Sequence, residues 1–164
     1  MRGITENTWV GDLESDGFLD KATIIWCGVF INAVTGEERS FDVDRGIEEL
    51  LPPFLDGVDA VIMHNGIAFD KGLLKGVYGY DLHRDKIIDT LILSKLLNPD
   101  RRVPPEWKGI HKPHSIEAWG MRFGIPKPEN EDWSKYTPHM LHRCREDVVI
   151  GGKVYHYLMK EEME

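Results

Sequence analysis

The stretch from Trp9 to Asp16, WVGDLESD, closes a short apolar run with two acids two residues apart, Asp12 and Glu14. Side chains on a strand alternate between faces, so both carboxylates point the same way. Like charges this close repel unless a counter-charge lies between them, which suits a divalent cation with hard oxygen ligands. A solvated strand end carries the same pattern. The choice between the two readings falls to the remaining acids.

The 164 residues are expected to form one domain, 1–164, large enough to bury a core. No run approaches a signal sequence or a membrane span, so the expectation is a soluble, cytoplasmic protein with no membrane partner. Cys27 and Cys144 match no zinc or redox spacing and read as reduced core thiols. The seven histidines have no Cys or acid at zinc-site spacing. The net charge of −8 argues against sequence-specific binding of long duplex DNA. It leaves open a short grip on a chain end, where cations in a carboxylate site cancel the local charge.

Ala22 to Val34 is rich in β-branched and aromatic residues and predicts a long central strand, followed by a Thr35-Gly36 turn and a third strand over Ser40 to Asp44. The first third of the chain is thus an antiparallel meander. A helix pattern over Ile47 to Leu55 is interrupted by Pro52 and Pro53. Ala60 to Met63 is a short apolar strand leading into HNGIAFD, in which Asn65-Gly66 turns and Asp70 follows. Sites in open α/β sheets form beyond the carboxyl ends of strands, where Asp70 would lie; the first turn of a helix is the competing place for it. Lys86 to Leu97 starts as a strand and continues as a helix that Asp89 caps. The Pro-rich loop from Asn98 to Pro113 carries Arg101, Arg102, Trp107, Lys108, His111 and Lys112, which read as substrate contacts or as ordinary exposed charge.

Ser115 caps a helix that ends at Gly124, and Thr137-Pro138 opens a terminal helix with Leu141, Cys144, Val148, Gly151 and Tyr155 as its apolar stripe. Asp147 lies close to that stripe. A carboxylate there is costly unless paired, hydrogen-bonded or bound to metal. Asp12, Glu14, Asp70 and Asp147 converging at one sheet edge would meet the needs of two-metal phosphoryl transfer.

DLES, HNGIAFD and the terminal HRCREDVV together resemble the DnaQ-like 3′-to-5′ exonucleases, named DEDD after their four acids. IDTLILSKLL and HSIEAWGMRFG are similar to the proofreading domain of T-odd phage family A DNA polymerases. The resemblance runs from about residue 8 to 160. It implies an α/β, ribonuclease H-like fold: a mixed five-stranded sheet with helices on both faces. It also implies a single exonuclease domain releasing nucleoside monophosphates from single-stranded or frayed DNA, with two Mg²⁺ or Mn²⁺ ions on Asp12, Glu14, Asp70 and Asp147. Leu13, Ser15, Asn65 and Phe69 would hold the terminal nucleotide, although Ser15, Asp16 and Gly17 differ from the Thr-Thr-Gly of the histidine subclass.

The phage domains carry a tyrosine four residues before the last acid, where this chain has Arg143. His142 has the five-residue spacing of the histidine subclass and is the expected general base, imidazole being the side chain suited to taking a proton from a metal-bound water near neutrality. Five residues on a continuous helix turn through about 140°, so this role requires the helix to start after Pro138 or to be mobile there. The expected partners are single-stranded 3′ ends, DNA favoured over RNA, and a separate DNA polymerase served by a free-standing proofreading protein, in the host cytoplasm if phage-encoded. The alternatives are an exoribonuclease or oligoribonuclease, and a non-catalytic module that binds a polymerase or nucleic acid. No G-x-S-x-G or reactive-cysteine context supports a metal-independent hydrolase.

Overall fold

The computed structural model describes residues 3–105, 107, 112–125, 129–130 and 132–164. Five strands, β1 (Thr8–Ser15), β2 (Ile25–Asn32), β3 (Glu38–Asp42), β4 (Ala60–Met63) and β5 (Ile87–Asp89), form one sheet in the order β3-β2-β1-β4-β5. β1, β2 and β3 pair antiparallel, whereas β4 runs parallel to β1 and to β5. The sheet is the mixed, five-stranded one expected, opening with an antiparallel meander. Because β1, β4 and β5 are parallel, their carboxyl ends share one edge.

β1 is buried on both faces, as a central strand must be. Trp9 and Leu13 pack with α1 (Ile47–Gly57) and α2 (Asp70–Tyr78) through Leu51, Leu55, Leu73 and Leu74. On the opposite face Val10 joins Cys27, Val29 and Ile62 beneath Met140, Cys144 and Val148 of α5 (Pro138–Met163). Gly11 permits this layering, since a Cβ there would lie 2.4 Å from the Phe30 ring. α4 (Ile116–Phe123) packs outside α5 through Trp119, Ile150, Val154 and Leu158. α3 (Thr90–Leu97) follows β5 directly. No helix among the described residues is long and apolar enough to cross a membrane.

Several boundaries differ from the sequence reading. β2 begins at Ile25 instead of Ala22, because the Asp16 carboxylate accepts from Thr23 N, Thr23 Oγ1 and Ile24 N and holds that segment as a turn. β3 ends at Asp42, whose side chain accepts from Arg45 N and starts a single 3₁₀ turn in place of further strand. α1 runs through Pro52 and Pro53 without interruption. The carbonyls those prolines leave without an amide belong to Glu48 and Glu49, both exposed to water, while Ile47, Leu51 and Leu55 anchor the inner face. Lys108 and His111 of the expected substrate loop lie outside the described residues.

Candidate active site

A groove of about 1180 Å³ opens along the carboxyl edge of the parallel strands. Asp12 and Glu14 reach it from β1, on the face toward α5, and a register shift after Glu14 turns Ser15 out of the regular pairing. Asp70, the first residue of α2, and Asp147 of α5 line the same groove, as do Leu13, Ser15, Asn65 and Phe69. Four acids from three separate elements thus share one concavity with the four residues expected to hold a nucleotide.

Local structure accounts for these positions. Asn65 adopts the left-handed conformation, φ 66°, which Asn tolerates better than most residues. Its amide and that of Ile67 donate to the Asp89 carboxylate at 3.1 and 3.0 Å, and Asp89 also accepts from Leu91 N and Ile92 N as the cap of α3. The sequence role given to Asp89 is the one it performs, extended to pin the turn that delivers Asp70. Thr137 caps α5 through Met140 N, and the helix runs unbroken from Pro138.

That continuity removes His142 from the groove. It lies on the exposed side of α5 beside His139, at a ring separation of 6.5 Å, because five residues on an unbroken helix rotate it about 140° from Asp147. The groove position falls to Arg143, four residues before Asp147. Its Nε stands 3.9 Å from Glu14 Oε1, and its guanidinium carbon lies 4.7 Å from the centre of the Trp133 ring. Two other histidines line the groove in structural roles. His64 shares hydrogen bonds with Thr90 Oγ1 at 2.9 Å and the His114 carbonyl at 2.8 Å. His114 is tied to Ser94 Oγ at 2.8 Å, and burial lowers its pKa further below neutrality.

The acids are in an electrostatically unfavourable place. Asp70 is 3 % exposed, and its Oδ1 is buried without a hydrogen-bond partner among the described residues. Burial, then the charge of Glu14 and more weakly that of Asp89, raises its pKa well above the usual carboxylate range. Ligand atoms of Asp12, Glu14 and Cys144 lie within 4.8 Å of one another. The Cys144 thiol donates to the Asp12 carbonyl at 3.4 Å, and burial pushes its pKa up, so it stays a protonated neighbour. Hard carboxylate oxygens crowded together in this way fit Mg²⁺ or Mn²⁺.

Lys21, Lys95 and Lys112 also line the groove, and Phe18, 81 % exposed, stands at its mouth. Lys112 is the one cation of the Pro-rich loop found there among the described residues; Arg101 instead pairs with Glu161 at 2.6 Å and lies over Trp119. Arg143, Trp133, Lys95 and Lys21 line the groove although they are not among the site residues expected from the sequence. The signal available for Arg143 was its i, i+4 relation to Asp147, which places both on one helix face.

No family model matches the chain. It is similar to the DNA-directed DNA polymerase of Enterobacteria phage T3, 29 % identical over 94 % of this chain and 23 % of that protein, and to that of Escherichia phage T7 at 28 % over the same shares. The chain thus spans about a quarter of the relatives it matches. Among solved structures, Brucella melitensis NrnC with bound Mg²⁺ superposes with a TM-score of 0.66 at 17 % identity, covering 94 % of this chain and 73 % of that one. NrnC bound to pGG gives 0.65 at 16 %, covering 94 % and 72 %. E. coli Exonuclease I in complex with a dT13 oligonucleotide gives 0.61 at 13 %, covering 93 % and 40 %. These likenesses show that the fold is the ribonuclease H-like one of exonucleases.

Proposed function

We propose that this chain is a divalent-metal-dependent 3′-to-5′ exonuclease that releases nucleoside monophosphates from single-stranded or frayed DNA ends. The observation that carries the reading is the convergence of Asp12, Glu14, Asp70 and Asp147 on one groove. The likeness to phage DNA polymerases and the oligonucleotides held by structural neighbours support nucleic acid as the substrate.

Asp12 and Glu14, with Asp147 and Asp70, would hold two Mg²⁺ or Mn²⁺ ions. Bound there, the ions would supply a hydroxide near neutral pH and neutralise charge building on the leaving 3′ oxygen. Leu13, Ser15 and Phe69 would meet the terminal sugar and base, and Asn65 the edge of the pocket. With His64 and His114 committed to hydrogen bonds and His142 on the outer face of α5, these imidazoles would take no part in proton transfer.

The same geometry would serve a short RNA strand, a reading favoured by the neighbour bound to pGG. A gel time course with matched 5′-labelled DNA and RNA, in Mg²⁺, Mn²⁺ or EDTA, tests both. The expected outcome is a ladder shortening from the labelled strand's 3′ end with either ion, faster on DNA, and no cleavage in EDTA. Faster loss of RNA would select the exoribonuclease. Intact strands under both ions would leave the non-catalytic binding module.

A further inference from the structure

Arg143 is the groove residue that the acid cluster leaves unexplained. Its side chain is 17 % exposed, braced on one face by the Trp133 ring at 4.7 Å. The brace is itself held, since Trp26 Nε1 donates to the Trp133 carbonyl at 2.9 Å. The guanidinium faces Glu14 at 3.9 Å, within ion-pair range but too far for a hydrogen bond, and its Nε is buried without an acceptor among the described residues. A guanidinium keeps its proton across the working range of any enzyme, so this group donates and never accepts.

A rigid, planar donor with unused hydrogen-bonding capacity, beside carboxylates whose charge bound cations would absorb, is suited to an anionic oxygen. Serving only as counter-charge to Glu14 would favour direct hydrogen bonding between the two. We propose that Arg143 grips a phosphate of the bound strand at the acid cluster, giving the site a fixed positive charge. The proposal rests on the exonuclease reading and names the side chain that holds the substrate backbone.

Steady-state cleavage of a 5′-labelled oligonucleotide in Mg²⁺, repeated over a KCl series, tests it. Arg143→Ala should raise KM by about tenfold or more and flatten the dependence of log kcat/KM on log salt by about 0.7. The Mg²⁺ half-saturation should stay within about twofold. Arg143→Lys should keep the salt slope while losing part of the affinity, because a point charge lacks the guanidinium fork. Arg143→Gln keeps a stem over Trp133, so a matching loss there separates charge from packing if the alanine variant folds poorly. An active wild type whose KM and salt slope survive all three substitutions would overturn the phosphate grip and leave the exonuclease standing. A shift confined to Mg²⁺ half-saturation would also overturn it, reducing Arg143 to a partner of Glu14. A wild type inactive on both DNA and RNA would overturn both readings.

Discussion

Asp70 carries a cost in the metal-free protein that a bound cation would relieve. Its carboxyl is buried, one oxygen lacks a partner among the described residues, and burial with the Glu14 charge raises its pKa. A group whose pKa rises on folding contributes its stability below the unfolded value, and loses it as pH climbs through the folded one. The metal-free protein should therefore weaken from the ordinary carboxylate range upward. Asp70→Asn removes the titration and should raise the melting temperature in EDTA at pH 7 by several degrees, about 1–3 kcal/mol, while abolishing cleavage. Calorimetry in EDTA at pH 5 and 8 checks this, and a lower melting temperature for the variant would mean that the carboxylate is satisfied as it stands. At His142 the expectation reverses the sequence reading. The residue is exposed on an unbroken helix, so His142→Ala should leave kcat within about twofold where loss of a general base costs about a hundredfold or more.

Among the elements, the junction of β5 and α3 bears on the site most directly. One carboxylate, Asp89, accepts backbone amides from Asn65 and Ile67 on one side and from Leu91 and Ile92 on the other. Asp89→Ala should cost about 2–4 kcal/mol, a lost cap plus buried amides left without acceptors, and chemical denaturation measures it. Loosening the turn before Asp70 should lower activity more than stability alone explains, read at a temperature where the variant remains folded. The cap itself was legible because Asp before a helical apolar pattern is a local signal, as were Ser115 and Thr137-Pro138. The acids were legible for a related reason: strand ends and helix faces follow from periodicity. The limits of β2 were not, since they depend on Asp16 reaching seven residues along the chain to Thr23. Arg143 against Trp133 depends on a tertiary approach tied down by Trp26, 107 residues before Trp133, and no local pattern announces it.

At the scale of the whole molecule, an acidic protein is proposed to bind a polyanion, and the topology supplies the reconciliation. Parallel pairing of β4 with β1 and β5 sends their carboxyl ends to one edge, so the acids gather in a single groove. The net charge of −8 over the whole chain repels a long strand, leaving the grip to the cations that line the groove among the described residues, Lys21, Lys95, Lys112 and Arg143. Each phosphate neutralised on a single strand contributes about 0.7 to the salt exponent, so all four together permit a slope no steeper than about −3. Between 50 and 200 mM KCl, kcat/KM on a short oligonucleotide should therefore fall by at most about fiftyfold. Lengthening the strand beyond the groove should not steepen the slope, because the groove offers no further cation among the described residues. Salt series on oligonucleotides of increasing length, at constant Mg²⁺, make the comparison. A slope that grows with length would require a basic track outside the groove, and would shift the binding surface from the sheet edge to the outer faces of the helices.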